Sequence, residues 1–527
     1  MVLRPLSRVH GGGGRRRRLS SGLSSESVTR APYVGAMYSS TNSVALVGVE
    51  PRLVGVEAHV SHGSKNIVVI VGLPDTAVRE ARDRVLAALV SSGFRRPSGR
   101  IVVNLTPADL PKVGSAYDLP IALALLSATG EIPKGALQVV ALGELTLDGT
   151  IRPARGALGA GLVGRQNGWS VLVDPVSAAE AGLVPGASVL AVRSLAHAVA
   201  VLRDLDGPAP VEQIANRDRP LVVDLSEVRG HEQARRALEI AAAGGHHLLM
   251  WGPPGTGKTM LAKSLPGILP PLTSEQELDV AQVFAAAGRP TPGRGLRPFR
   301  APHHTATLPA LVGGGSGIPS PGEISLAHHG VIFLDELGEF PANILEGLRQ
   351  PLEDGHVTIA RQGNTTTFPS SLQLVAATNP CPCGFHGDRK VACQCSRSAV
   401  DRYRRRLSGP LIDRFDVRVR VGRPRRSDLT GPVGEASAAV RERVQAAMKR
   451  QLARGRLNRR LGRRELDALA ITDDALASLA RAYDELTLSA RGFDRVRRVA
   501  KTIADLEENN VVNSSHVSEA LSLRGGW

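Results

Sequence analysis

Hydrophobic positions gather into short runs from Ser43 onward. Residues 44–49, 53–60 and 67–71 are rich in valine, leucine and isoleucine, and Val54, Val56, Ala58 and Val60 alternate at period two, so each run predicts a strand. Between Asp75 and Ser92 the apolar Val78, Ala81, Val85, Leu86 and Leu89 recur at helical spacing beside Arg79, Glu80, Arg82, Asp83 and Arg84, which predicts an amphipathic helix. Strands and helices then alternate to about Leu205, so residues 37–205 form one expected mixed domain. Residues 206–222, with their Pro, Asp and Asn, read as a linker. From 223 to 421 strand–loop–helix units predict an α/β core. After the Pro-, Arg- and Gly-containing stretch 422–434 the pattern is helical, giving an expected C-terminal domain over 422–527.

At roughly 100 to 200 residues per domain, a chain of 527 residues is expected to hold about three. No run approaches the ~18 uninterrupted apolar residues of a membrane span, and the arginine-rich start lacks the apolar segment of a secretory signal. A cytoplasmic protein without a membrane partner is therefore expected. The net charge is +16, and residues 1–36 concentrate part of it, with seven arginines against the single acid Glu26. With Gly11 to Gly14 and six serines this tract cannot bury a core and is expected to be a disordered basic extension.

Chemistry enters at Gly252-Pro253-Pro254-Gly255-Thr256-Gly257-Lys258-Thr259, which fits G-x-x-x-x-G-K-[ST] between an apolar run and a helical pattern. Glycines let backbone N–H groups converge on phosphate oxygens at a helix N-terminus. Lys258 would reach the outer phosphates and Thr259 would hold Mg²⁺. A second apolar strand, 331–334, ends in Asp335-Glu336. Asp335 would position Mg²⁺ through its water shell, and Glu336 would orient and polarise the attacking water. A third, 372–377, ends in Thr378-Asn379, which lets Asn379 sense the γ-phosphate.

Three further stretches carry a family resemblance. They are Pro298-Phe299-Arg300-Ala301-Pro302-His303-His304, residues 321–336 ending in Asp335-Glu336, and Asn379-Pro380-Cys381-Pro382-Cys383-Gly384. With the phosphate loop they resemble the Mg-chelatase-like AAA+ ATPases, closest to the ComM/YifB branch, over residues 37–527. The resemblance implies a P-loop α/β core with a parallel sheet, an N-terminal Lon-protease-like α+β domain and a C-terminal helical lid. It also implies a homo-oligomeric ring, usually a hexamer, with ATP and Mg²⁺ at each subunit interface. Within 409–416, Arg414 matches the family's arginine finger, acting in the neighbouring subunit. Within 489–495, Arg491 matches the second sensor, with Arg495 one turn later as the alternative. Residues 228–234 resemble the adenine-side segment. A hairpin over 357–368, turning at Gly363-Asn364, would aim Arg361 and Gln362 at a polymer in the pore, with a solvated hairpin tip as the alternative.

Cys381, Cys383, Cys393 and Cys395 form two C-x-C pairs. Four thiolates at that spacing can close a tetrahedral shell around Zn²⁺ and staple a loop too polar to build a core, with redox pairing as the competing chemistry. In the N-terminal domain, residues 71–75, 111–118 and 143–149 resemble Lon proteases. The positions of that family's Ser nucleophile and Lys base fall on Ala116 and Leu158, with Ser115 one residue out of register, so peptidase activity is not expected. Residues 443–464 hold nine Lys/Arg and no acid, and Arg402, Arg404, Arg405 and Arg406 form a second basic cluster. Such stretches suit phosphate neutralisation without base readout. The branch resemblance implies DNA branch migration or helicase action in recombination or transformation. A metal-insertion motor of the true chelatase type and a protein-remodelling ATPase are the alternatives.

Overall fold

A computed structural model describes residues 37–61, 67–211, 223–315, 319–361, 364–388, 390–407, 409–485 and 488–524. The expected extension 1–36, linker residues 212–222 and the hairpin positions Gln362 and Gly363 lie outside them. The chain adopts the expected α/β class.

The N-terminal part is built on a seven-stranded sheet ordered Ile67–Val71, Arg100–Thr106, Glu50–Ser61, Met37–Val47, Val139–Ala141, Ser170–Val173 and Val189–Ala191. Its longest strands form one antiparallel hairpin, pairing Met37 with Val60 and Val47 with Glu50. Val54, Val56, Ala58 and Val60 all face the core, as their alternation predicts. The first strand differs from expectation, starting at Met37 and not Val44, and giving up Gly48 and Val49 to the turn. Ser39, Thr41 and Ser43 take its inward positions and are buried, so the polar residues hid the period. Gly48 closes the turn at φ +64°, a conformation that few other residues adopt easily. Helix Thr76–Ser91 buries Val78, Ala81, Val85, Leu86 and Leu89, and Asp75 caps it by accepting a 2.8 Å hydrogen bond from Val78 N–H.

Downstream lies a five-stranded, wholly parallel sheet ordered Phe299–Arg300, Val331–Leu334, Gln373–Thr378, Leu248–Trp251 and Val417–Arg420. Every residue of Val331–Leu334 and Gln373–Thr378 is buried. A parallel sheet covered on both faces demands such continuous apolar runs. The hairpin His356–Arg361/Asn364–Pro369 pairs Arg361 with Asn364, so Asn364 is a strand residue and not part of the turn.

Helices Ser437–Ala453, Asp473–Glu485, Ala490–Leu506 and Ser514–Ser522 make up the C-terminal part. Its apolar core is continuous with that of the sheet. Val440, Val444, Val496 and Ile503 share one cluster with Leu248, Met250 and Val417. Buried Asp416 ties the two together, with Arg495 Nη1 at 3.2 Å from its Oδ1 and His246 Nδ1 at 3.3 Å from its Oδ2. Burial alone would raise the Asp416 carboxyl. The His246 hydrogen bond and the charges of His246, Arg495 and His247 outweigh it and hold the group well below the usual range.

The positions aligned with a Lon catalytic pair serve packing. Ala116 and Leu158 are buried in different clusters, and Ser115 donates its hydroxyl to Glu144. Leu158 and Leu162, on helix Ala157–Asn167, meet Ala281 and Leu278 of helix Ser274–Ala286, so this helix docks the N-terminal part onto the part built on the five-stranded sheet. A Leu158→Ala variant should therefore lose about 2 to 5 kcal/mol of stability. Urea unfolding checks this, and an unchanged midpoint would show that the contact contributes nothing.

Candidate functional site

Strand Leu248–Trp251 leads into the phosphate loop, and helix Lys258–Ile268 leaves it. A Cβ at Gly252 would overlap the Val421 carbonyl, so the loop can leave the sheet here only as glycine. Gly255 and Gly257 take φ +71° and +85°, left-handed conformations that turn the loop into the helix start.

The three strand ends expected to meet do meet. Thr259 Oγ1 donates to Asp335 Oδ2 at 2.8 Å, and Glu336 N–H donates to Asp335 Oδ1 at 3.0 Å, so both carboxylate oxygens are oriented. Lys258 Nζ donates to the Gly252 and Pro253 carbonyls, each at 2.8 Å, and to Asn379 Oδ1 at 3.3 Å. Burial draws the Lys258 ammonium down to about 8, against the opposing pull of Asp335 and Glu336. Thr256 closes the loop, its hydroxyl donating to the Pro253 carbonyl at 3.0 Å.

Two histidines join this group that sequence reasoning left without a role. His304 Nδ1 lies 3.5 Å from Glu336 Oε2, and Glu336 itself sits at φ +52°, unusual for a residue with a side chain. The signal was the run ending in His303-His304, whose rings are 4.1 Å apart. His231 reaches towards Gly257 from within segment 228–234, where a Cβ on Gly257 would lie 3.8 Å from its Nε2. A cavity of about 410 Å³ opens beside that segment, between Gly230, Arg235, Asp428 and Gly434.

Arg414 and Arg491 lie near one another. Arg414 pairs with Glu353 at 2.5 Å. Burial lowers its guanidinium pKa, Glu353 opposes this, and the like charges of Arg349, Arg495 and Arg491 add to it. Arg491 is exposed, whereas Arg495 is committed to Asp416.

The four cysteines converge. Cys381 Sγ is 3.4 Å from Cys383 Sγ and 3.7 Å from Cys393 Sγ, and Cys383 and Cys393 are 3.5 Å apart. All four sulfurs lie within 4.8 Å of one another. Four sulfurs at ~2.3 Å from a central ion have edges of roughly 3.8 Å, so the set fits a tetrahedral metal. Backbone N–H groups of His386 and Cys383 point at Cys381 and Cys395 sulfurs, each at 3.3 to 3.4 Å. The loop leans on the phosphate cradle, because a Cβ on Gly384 would lie 2.6 Å from Pro254 Cδ. Arg420 pins its other side by donating to the Gly387 carbonyl at 2.9 Å.

The basic run 443–464 is largely neutralised within the fold. Arg443 pairs with Glu239 and Glu435, Arg450 with Glu508, Arg454 with Asp505, Arg456 with Glu465 and Arg463 with Asp467. Local sequence could not show this for Glu239, Asp505 and Glu508, which are distant in the chain from their partners. Arg402, Arg404, Arg405 and Arg406 instead line the exposed face of helix Arg397–Arg406. The buried face of that helix carries Tyr403, whose hydroxyl is 3.2 Å from Thr378 Oγ1 and whose ring packs against Gly338.

Three family models match consecutive parts of the chain. One described as magnesium chelatase, subunit ChlI, covers residues 224–429, one described as subunit ChlI of Mg-chelatase covers 56–177, and one for the ChlI C-terminal part covers 434–524. Uncharacterized protein YifB of Escherichia coli (strain K12) is 42% identical over 492 residues, 91% of this chain and 96% of its own. Uncharacterized protein Rv2897c of Mycobacterium tuberculosis (strain ATCC 25618 / H37Rv) is 42% identical over 493 residues, 92% of this chain and 97% of its own. Competence protein ComM of Haemophilus influenzae (strain ATCC 51907 / DSM 11121 / KW20 / Rd) is 41% identical over 494 residues, 92% and 96%.

A phosphate arriving beside Lys258 favours its ammonium form. ATP affinity should thus fall as pH rises through about 8, by at most about tenfold per unit, with proton uptake on binding. Calorimetric titration on both sides of that value checks this, and a flat profile would contradict the assignment.

Proposed function

The chain belongs to the Mg-chelatase-like family of AAA+ ATPases, in the group that holds YifB and ComM, and from that premise we propose that it couples ATP hydrolysis to DNA remodelling. Branch migration or helicase action during recombination or transformation is the specific form. The observation that carries the ATPase half is the Thr259–Asp335 contact beside the Lys258–Asn379 contact, which gathers three strand ends around one concavity.

In this reading the N–H groups of Gly255, Thr256 and Gly257 and the Lys258 ammonium hold the phosphates. Thr259 and Asp335 would hold Mg²⁺, which would supply charge neutralisation on those phosphates. Glu336 aligns the attacking water and takes its proton, while His304 holds the carboxylate in place. Asn379 bridges Lys258 to the γ-phosphate. The nearness of Arg414 to Arg491 supports both serving the neighbouring protomer of a homo-oligomeric ring, a hexamer by family resemblance. Fingers of this kind contribute on the order of 10³ to 10⁵ in rate.

For DNA, one relative is named a competence protein, and the exposed arginines of helix Arg397–Arg406, without an ion pair among the described residues, offer a phosphate-binding face. Tyr403 connects that helix to the turn after Glu336 and to the strand before Asn379, a direct route from polymer contact to hydrolysis. Of the described helices none is long and apolar enough to cross a membrane, and a cytoplasmic location follows the same reading. The family-model descriptions favour a second reading, a motor for metal insertion into tetrapyrroles.

ATPase turnover measured with and without branched DNA, at low and high salt, separates the two. DNA should stimulate hydrolysis, and the effect should fade with salt as phosphate contacts are screened. Glu336→Gln should retain ATP and reduce turnover by at least about 100-fold. Absence of DNA stimulation at both salt concentrations would end the DNA reading, while equal turnover in Glu336→Gln would remove the water-aligning role.

We further assign Zn²⁺ to Cys381, Cys383, Cys393 and Cys395 as a closed structural staple with no position open for catalysis. About one zinc per chain is expected. Its removal should weaken ATP binding, because Gly384 would lose its seat against Pro254. A zinc-depleted chain that binds ATP normally would disconnect the staple from the cradle.

A further inference from the structure

The nucleotide concavity occupies one edge of the five-stranded sheet, and a second cavity of about 260 Å³ opens at the opposite edge. Gly245, Gly330 and Ser371 line it, just ahead of the strands Leu248–Trp251, Val331–Leu334 and Gln373–Thr378 whose far ends carry the cradle, Asp335 and Asn379. At ~3.3 Å per residue, strands of four to six residues hold the two places roughly 13 to 20 Å apart.

Arg297 enters this cavity from the sheet side, and Arg456, Arg459 and Arg460 enter from the helical C-terminal part; no residue lining it is acidic. Arg456 pairs with Glu465 at 3.2 Å. The other three hydrogen-bond to neutral groups. Arg297 donates to the Pro270 carbonyl at 2.6 Å and the His329 carbonyl at 2.7 Å, and Arg460 donates to the Ser371 hydroxyl. Arg459 Nη1 lies 3.0 Å from His247 Nε2. Among the described residues none of these three forms an ion pair. Beside His329, Asp279 places its carboxylate 3.0 Å from His329 Nε2. Burial draws Arg297 down to about 10 with no opposing charge. Arg459 also falls to about 10, by burial first, with Asp416 opposing and Arg460, Arg498 and Arg495 adding to the fall. Both guanidiniums are thus held in place, partly desolvated and short of negative charge, a costly arrangement that an anion relieves.

We propose that this cavity is a second anion site, taking a small ligand that ends in a phosphate or diphosphate. Guanidinium forks match phosphate oxygens in pairs, and three of them without counter-ions call for two or three negative charges in one place. A terminal phosphate or diphosphate brings that many, whereas each phosphate of a nucleic-acid backbone brings one. Met448 and Leu452 give the cavity an apolar wall for the organic part of such a ligand. Because the site spans the sheet and the helical part, occupancy would tighten the seam between them.

Inorganic pyrophosphate is the probe, titrated calorimetrically into the full chain with the cradle already filled by a non-hydrolysable ATP analogue. One pyrophosphate should bind per chain, and the dissociation constant should rise at least about tenfold in Arg460→Glu and in Arg297→Met. Arg460 is exposed, so its variant tests the site even if Arg297→Met fails to fold. Absence of heat, an unchanged constant in Arg460→Glu, or binding that vanishes when the cradle is filled would each overturn the proposal. A DNA duplex held by these arginines that pyrophosphate cannot displace would give the cavity to backbone phosphates and equally defeat it.

Discussion

Parallel backbone pairing in the five-stranded sheet is the constraint on which the site depends. Trp251 pairs with Thr378 and Leu334 with Ala376, so three strands end at the same edge. Each delivers one part of the chemistry: the phosphate loop, the Asp335–Glu336 pair and Asn379. Their side chains then meet without further adjustment, Thr259 on Asp335 and Lys258 on Asn379. The strands are buried on both faces, and a slip of one residue would turn buried side chains the other way, so burial and site geometry enforce the same register.

Around that edge the remaining parts act as supports. The cysteine loop rests on Pro254, helix Arg397–Arg406 reaches Thr378 through Tyr403, and Asp416 joins the helical C-terminal part to the sheet through Arg495 and His246. The N-terminal part is anchored at two places. Leu158 packs on helix Ser274–Ala286, and the Gly48–Val49 turn seats against Thr366 and Phe368 of the hairpin expected to project towards the pore. Leu158, expected at the position of a protease lysine, is an apolar docking residue. A lysine there would bury a charge, costly without a partner, where the leucine gives contact area that holds two parts of the chain together.

Charge shows how far composition can mislead. The run 443–464 has nine basic residues and no acid of its own, yet Glu239, Glu435, Asp505 and Glu508 come from elsewhere to pair with it. Those acids are invisible to a local reading. Arg402, Arg404, Arg405 and Arg406 lie on an exposed helix face, whereas Arg297, Arg459 and Arg460 meet in the cavity under the sheet, two surfaces with different chemistry.

Local patterns by themselves determined the strand and helix segments around the site, the phosphate loop, the acidic strand end and the cysteine spacing. Each depends on periodicity or on residues adjacent in the chain, such as Gly255 and Gly257 or Asp335 and Glu336. The first strand escaped because Ser39, Thr41 and Ser43 are buried where apolar residues were expected. Only the tertiary structure decided that His304 faces Glu336, that His231 approaches Gly257, that Arg495 is bound to Asp416 while Arg491 is exposed, and that Arg297, Arg459 and Arg460 converge on one cavity. These arrangements join residues tens to hundreds of positions apart, and their partners are selected by sheet order and helix packing, which no run of neighbouring residues encodes.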